Sequence, residues 1–527
     1  MVNEQLIQMT KQLSDLTAMI TRMQNQITDL QNQITDLQND NALLKEENEY
    51  LKRKLFGTRS EKSSTLGINQ LSLFDEAEQE CDEGLLEDLH YKRAKKRKEK
   101  LSLKLDDLPQ VDILMDLADQ HKNCPKCGTE LKRAGKELVR RQVKFIPASL
   151  KVENIYQATY ECRQCKKNGA KVMVKAAITQ PVIPHSYASP ESVAHVMKEK
   201  FINGVPLYRQ EQEWKRLGLE LSRATMANWV IAASKEWLIP LKERMHNILI
   251  QESYVHADET TIQVLNEPGR KNTSKSYMWV YASIKESNHP IRIFDYKPTR
   301  AGYNPKVFLK GFKGSVITDA YAGYNNLENV TNVYCWAHAR RKFSDSISKD
   351  MKDVDSTLPG EALKKISKLF KIEKEIENKS PQEKAVIRQK EAKILLEDFF
   401  SWCHNNQDKV LTGSKTAKAF QYVINHREGL SEYINDGYLP MTNSLDERTI
   451  RMFAVGRKNW LFCASTKGAE ASAAVYSIIE TAKANNLDPY KYLSYIFQYL
   501  PGYDITDCDK LDKFMPWNEK IQMNCKL

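Results

Sequence analysis

Three short acidic stretches, far apart in the chain, carry the side chains best suited to chemistry. "HADETTIQV" holds Asp258 and Glu259, "TDAYAGYN" holds Asp319, and "NSLDERTIR" holds Asp446 and Glu447 against Arg448 and Arg451, with Arg457 and Lys458 just beyond. Carboxylates gathered from separate segments suit divalent cations. Two such ions about 4 Å apart activate an attacking oxygen and stabilise the leaving one in an in-line displacement at phosphorus. The neighbouring bases suit the phosphates. Each stretch alone has a plainer reading: an aspartate at a strand end is often a turn residue, and acids at a helix start complement the helix dipole. The chemical reading therefore requires that the stretches meet.

Thiols form a second set. "CPKCG" supplies Cys124 and Cys127, and "CRQC" supplies Cys162 and Cys165. Two such pairs are the usual ligand set of a structural tetrahedral zinc. The gap between them is longer than in the commonest zinc ribbons, and "LVRRQVKFIPASLKVENIYQATYEC" within it alternates like strands. A ribbon with a β-insert accounts for both. A redox role is disfavoured because no βαβ pattern adjoins the motifs. In "CWAHARRKF", Cys335 and His338 are of ligand type, but two further ligands are missing, so they read as packed core, as do Trp336 and Trp460. Arg340 and Arg341 in that stretch join the phosphate-binding candidates.

The acids need elements to position them. "ESYVHADETTIQVL" alternates polar and apolar residues and is rich in β-branched types, which predicts a strand carrying Asp258, followed by strands in "SYMWVYASI" and "PIRIFDY". After a helical stretch around "NPKVFLKGF", the apolar strand of "GSVITDAYAGYNNL" ends on Asp319, and "TNVYCWAHARRKF" supplies a strand and a helix. A three-stranded meander followed by strand–helix units suggests a ribonuclease H-like sheet. In such a sheet the first and fourth strands are neighbours, so Asp258 and Asp319 can face one ion pair. Residues 346–427 read as a charged helical insertion. A helix then starts at "NSLDERTIR", with Asn443 or Ser444 available to cap it. Glu447 on that helix would complete a site for two magnesium or manganese ions.

The N-terminal segment is a heptad repeat, with apolar residues at Leu6, Met9, Leu13, Leu16, Ile20, Met23, Ile27, Leu30, Ile34, Leu37, Leu44, Leu51 and Leu55, and Asn41 and Asn48 at core positions. A strict 3.5-residue period predicts a left-handed coiled coil, and the mixture of Ile, Leu and buried Asn favours a parallel dimer. Its rod would be about 75 Å long. A linker follows, acidic over residues 75–88 and then basic in "KRAKKRKEK", a block able to bind phosphates in a salt-dependent way. From Ser189 to Leu249 the pattern is helical, and "RQEQEWKRLGLELSRATMANWV" reads as two helices broken at Gly218 with Ser222 as an N-cap, either a helix-turn-helix or an ordinary connector.

At 527 residues the chain exceeds the roughly 250–300 residues at which single cores stop growing. The expected fold is multidomain α+β/α/β: a coiled coil over 1–56, a charged linker over 57–104, a zinc-binding domain over 105–180, a helical DNA-binding region over 181–249, a ribonuclease H-like core over 250–345 interrupted by a helical insertion over 346–435 and resumed over 436–485, and a C-terminal tail over 486–527. The formal net charge of +11 fits a polyanionic partner as well as a solvated basic surface. No charged-then-apolar leader is visible, and no apolar run approaches the ~20 residues of a membrane span, so the expected location is the cytoplasm.

Taken together, "LKRKLFGTRSEK", "CPKCG" with "CRQC", "PLYRQEQEWKRLG", "HADETTIQV", "TDAYAGYN", "CWAHARRKF" and "ERTIRMFAVGRKNWLFCAS" resemble, nearly end to end and in order, the insertion-sequence sixty-six family of bacterial transposases. The resemblance implies a zipper, a zinc-binding domain and an Asp-Asp-Glu catalytic core whose triad falls on Asp258, Asp319 and Glu447. It also implies DNA strand cleavage and joining at element ends, in a nucleoid-associated protein acting with its own homodimer partner and small accessory proteins of the same element. Family members usually show Asp-Asn-Asn ahead of the Glu, where Thr442, Asn443 and Ser444 stand here. Glu259 belongs to the family string too, but strand alternation points it to the opposite face from Asp258. The competing readings are a zinc-containing DNA-binding dimer without catalysis, and a nuclease that cuts without rejoining.

Overall fold

The computed structural model describes residues 2–56, 149–161, 173–347 and 354–527. The chain divides into two compact units, residues 1–79 with 156–527 and residues 80–155. Of the second unit only residues 149–155 are described, as extended, exposed chain. The charged linker and the four paired cysteines lie outside the described residues.

Helix α1 (Val2–Phe56) runs uninterrupted through the heptad repeat. Leu16, Ile20, Ile27, Leu30, Ile34 and Leu37 are all exposed along it. Thr21, Thr28 and Thr35, one per heptad, each donate a hydroxyl hydrogen bond to the carbonyl four residues back, which satisfies them within the helix. Strands β1 (Thr159–Glu161) and β2 (Met173–Lys175) pair antiparallel as a small separate sheet.

Helix α2 (Pro190–Phe201) starts on a reciprocal capping box between Ser189 and Ser192, with proline in its first turn. Helix α3 (Leu207–Arg216) turns through Gly218, at φ +95°, into α4 (Arg223–Ala233). The left-handed backbone there favours glycine, and Ser222 caps α4 by accepting the Thr225 amide. A π-helical turn carries α4 into α5 (Ile239–Leu249). Met197, Met226, Val230 and Leu241 from these helices are buried in the same core as the sheet that follows.

That sheet holds β3 (Tyr254–Asn266), β4 (Lys275–Ser283) and β5 (Arg292–Lys297) as an antiparallel meander. After α6 (Tyr303–Phe308), β6 (Gly314–Thr318) crosses back to lie parallel beside β3, and β7 (Val330–Tyr334) continues parallel to β6. The order is β5-β4-β3-β6-β7. Helix α7 (Trp336–Asp345) leaves β7 and leads into α8 (Leu358–Glu375), α9 (Pro381–Ile387), α10 (Lys393–Asn406), α11 (Lys415–Asn425) and α12 (Arg427–Ser431), which share a second core with Trp336, Phe343, Ile317 and Val333. Within it the guanidinium of buried Arg388 pairs with Glu373 at 2.6 Å and donates to the carbonyls of Tyr433, Asp436 and Leu439.

Helix α13 (Ser444–Trp460) returns to the sheet, and β8 (Cys463–Ser465) adds in parallel to the far end of β3. Helix α14 (Thr466–Ala484) lies against the outer strand β5. Ser477 and Thr481, one turn apart, bond the backbone of Phe294 and Arg292 at 2.8 and 3.0 Å, so the edge of β5 is covered by hydroxyl partners. Mid-helix Gly456 reflects how tightly α13 sits, because a Cβ there would lie 2.5 Å from the buried Tyr476 hydroxyl of α14. The segment expected as a tail is instead folded as α15 (Pro489–Tyr499), α16 (Cys508–Asp512) and α17 (Glu519–Cys525). Leu493, Phe497, Phe514, Met515 and Ile521 insert into the main core. The aromatic spacing of "YKYLSYIFQY" buries one face of α15, which a free tail would leave in water.

Candidate active site

Strand β3 carries His256 and Asp258 on one face, two residues apart. Its register with β6 ends on the pair His256 and Ile317, and Asp258, two residues further along, lies in the field of Asp319. Asp319 follows the last residue of β6. Its Oδ1 accepts the Tyr321 amide at 2.9 Å and its carbonyl accepts the Tyr422 hydroxyl at 3.0 Å, so helix α11 of the insertion supports the loop. Glu259 faces the opposite side, as alternation predicts, where it pairs with the Arg300 guanidinium and accepts from the Tyr324 hydroxyl at 3.1 Å.

The start of α13 is pinned, though not in the expected way. Asn443 occupies the cap position but makes no side-chain capping bond, and Ser444 is already helical. The Asn443 amide nitrogen donates to the Ala257 carbonyl at 3.3 Å, and its Oδ1 lies 2.6 Å from His256 Nδ1. With Oδ1 left as the acceptor, His256 carries its proton on Nδ1. The Asn443 backbone N–H donates to Cys335 Sγ at 3.1 Å, and the Met441 carbonyl accepts from the backbone N–H of Trp336, the first residue of α7. The N-termini of α7 and α13 therefore abut, which turns the positive ends of two helix dipoles toward the acids.

Asp446 and Glu447 diverge from this joint. Asp446 is fully buried, and neither of its carboxylate oxygens has a hydrogen-bond partner among the described residues. Burial holds its carboxyl well above the usual range; the nearby Arg292 guanidinium pulls the other way and the Glu447 charge adds to the rise. Burial also raises Asp258 well above its usual value, with further increments from the charges of Glu259, Asp319 and Asp446. Glu447 lies 3.5 Å from His338 Nδ1 through one oxygen and 3.5 Å from Arg341 through the other. Burial depresses His338 to about 4, aided by Arg341 and opposed by Asp319. Cys335 is buried at the head of α7, and burial pushes its thiol up to about 12, with the Glu447 charge adding to the rise. Cys335 and His338 are short of ligands within their own stretch, and Glu447 comes close enough to make a three-residue group with them.

The basic candidates separate. Arg448 and Lys458 are exposed on α13, and Arg340 and Arg451 are half-buried. Arg341 lies against Glu447, while Arg457 donates to the carbonyl and hydroxyl of Thr261 and so ties α13 to β3. Trp336 is fully buried and Trp460 packs against the core, as expected. Three participants were missed in the sequence: His256, Arg292 and Tyr422. Only His256 left a signal, the period-two spacing that puts it on the face of Asp258.

Residues 185–471, which include all of these acids, match the model of the transposase IS66 family. The chain belongs to that family. Residues 121–166, spanning the four paired cysteines, match the zinc-finger binding domain of transposase IS66, residues 477–517 match the IS66 C-terminal element, and residues 43–113 match a model described as transposase C of IS166 homeodomain. Two relatives come from Sinorhizobium fredii (strain NBRC 101917 / NGR234). The uncharacterized protein y4jD is 27% identical over 490 residues, covering 89% of this chain and 93% of its own, and the uncharacterized protein y4qI is 29% identical over 367 residues, covering 67% and 66%. In this IS66 family member Thr442 and Ser444 bond each other through their hydroxyls at 3.2 Å, and Asn443 between them makes the contacts to β3. No helix among the described residues is long and apolar enough to cross a membrane.

Proposed function

We propose that this protein cleaves DNA at the ends of its insertion sequence and joins the cut strands to a target, with Asp258, Asp319 and Glu447 as the catalytic triad. The observation that carries the reading is that acids from β3, the end of β6 and the start of α13 share one neighbourhood: Asp258 feels Asp319 and Asp446, and His338 lies in the field of Asp319 and 3.5 Å from Glu447, while the three triad carboxylates do not themselves gather within 4.8 Å of one another. The charges that act on half-buried Asp258 are those of other acids, and such crowding fits a divalent cation, which would relieve both the repulsion and the cost of desolvation. Asp258, Asp319 and Glu447 would hold two magnesium or manganese ions, which supply positive charge at the attacking and leaving oxygens of a phosphodiester. The sheet order, with β6 parallel beside β3, supports a ribonuclease H-like core.

The chain's own groups do the rest. Asn443 and His256 hold the start of α13 against β3, which sets the third acid relative to Asp258. Arg448, Arg451, Lys458 and Arg340 meet backbone phosphates, joined by Arg341 beside Glu447 and by Arg457 where it meets Thr261. Cys124, Cys127, Cys162 and Cys165 hold one structural zinc as thiolates, and α1 pairs in parallel with the same helix of a second copy.

The test is strand cleavage and binding of end DNA in magnesium for Asp258→Asn, Asp319→Asn, Glu447→Gln and Asp446→Asn. Loss of cleavage with retained binding in the first three is expected. Near wild-type cleavage by Glu447→Gln together with loss in Asp446→Asn would transfer the third position to Asp446.

A further inference from the structure

We propose that Cys335, His338 and Glu447 form a further metal site, selective for a thiophilic divalent ion such as zinc, cadmium or cobalt, which inhibits the transposase by withdrawing Glu447 from the triad. The inhibitory consequence rests on the catalytic reading of Glu447; the metal site itself does not.

The sulfur, an imidazole nitrogen and a carboxylate oxygen of the three residues lie within 4.8 Å of one another. In a tetrahedral zinc centre with bonds of about 2.0–2.3 Å, neighbouring ligand atoms sit roughly 3.5 Å apart. His338 Nδ1 and Glu447 Oε1 are already at 3.5 Å, so small side-chain rotations bring in the sulfur. Buried His338 Nδ1 has no hydrogen-bond partner among the described residues, and a coordinated ion would take its lone pair instead. The sulfur sits at the N-terminus of α7 and accepts the Asn443 N–H at 3.1 Å. Those donors favour a thiolate, but burial beside Glu447 outweighs them and keeps the metal-free thiol protonated. A cation reverses that balance: on binding, the thiol proton passes to solvent and the sulfur becomes an anionic ligand. Three protein ligands leave a fourth position for water. A sulfur–nitrogen–oxygen donor set prefers zinc, cadmium or cobalt to magnesium, whose ligands are oxygens. Arg341, 3.5 Å from the other Glu447 oxygen, opposes a cation here, so the site is weaker than a structural zinc site with four thiolates.

The experiment uses the full chain, first loaded with a single equivalent of zinc, which the four paired thiols take up as the tighter site, and then titrated with cobalt(II) in excess magnesium and a thiol-free reductant. Wild type should take up one further equivalent with a sulfur-to-cobalt charge-transfer band. Cys335→Ser and His338→Gln should each weaken that step at least tenfold, while Asp258→Asn retains it. Two near-isosteric variants on different ligands guard against a folding artefact, and circular dichroism checks each. Absence of the sulfur band in wild type, or an equal band in Cys335→Ser, overturns the site. In a second arm cadmium is added to magnesium-dependent cleavage: inhibition relieved at least tenfold in Cys335→Ser supports the withdrawal of Glu447, and unchanged inhibition overturns it. If wild type cleaves nothing in magnesium, the catalytic reading fails while the cobalt result still decides the site.

Discussion

His256 Nδ1 donates to Asn443 Oδ1 at 2.6 Å across the gap between β3 and α13, so a residue two before one acid is bonded to a residue four before another. Both side chains are buried, and the Asn443 amide closes the joint with a second donation, to Ala257. Neither partner can be rehydrated without separating helix from strand.

Asn443→Ala should therefore cost about 1–3 kcal/mol, since it leaves a buried histidine donor and a carbonyl unsatisfied. Cleavage should fall at least tenfold while end-DNA affinity stays within twofold. Denaturant melts and a binding isotherm check the two parts separately; a stable variant with normal cleavage would show that the joint does not set the third acid.

The same bond makes a pH prediction. Burial lowers His256 to about 4, against 6.5 when exposed, with Asn443 raising it and Arg292 lowering it further. A folded-state value below the unfolded one means that the unfolded chain takes up the proton first. The stability held above the unfolded value is then lost progressively as pH falls toward the folded one. His256→Gln cannot titrate, so its loss of stability over that window should be shallower than wild type in melts at stepped pH.

Asp258 and Asp446 act with the opposite sign. Their folded-state values are raised, so the stability they permit is full at acid pH, below the unfolded value, and declines as pH rises through the folded one. In metal-free protein at neutral pH, Asp446→Asn should raise the melting temperature by a few degrees, with the gain disappearing in acid. Magnesium should raise the melting temperature of wild type more than that of Asp258→Asn. Scanning calorimetry with and without the ion measures both effects.

Along α1 the exposed seam predicts self-association. Changing Ile20, Ile27 and Ile34 together to polar residues should leave the rest folded and the particle monomeric by light scattering, because these side chains are exposed in the single chain and gain burial only from a partner helix. A dimer that survives the change would place the main interface elsewhere.

Much of the chain was legible because the signals are local. The heptads of α1, the Ser222 cap with the Gly218 break, and the alternation of β3 depend on neighbours a few residues apart, where periodicity and backbone preference act directly. Strand alternation alone also separated Asp258 from Glu259 onto opposite faces. Other features had no local signal. Asn443 is a good cap by residue type, yet it bonds His256 and Ala257, 187 and 186 residues away, because a buried donor on the strand competes more strongly than the helix end. Glu447 lies against His338 and Arg341, and Asp446 lies near Arg292, only after α7, β5 and α13 have packed. The C-terminal segment was read as a tail, but its apolar residues enter a core built by other elements. The sequence by itself determined the elements with local signals, α1, the α3–α4 pair and the strands of the meander among them, and which acids are available. The tertiary structure decided which of those acids meet and what each one faces, because burial and long-range charge exist only once distant segments exclude water from one another.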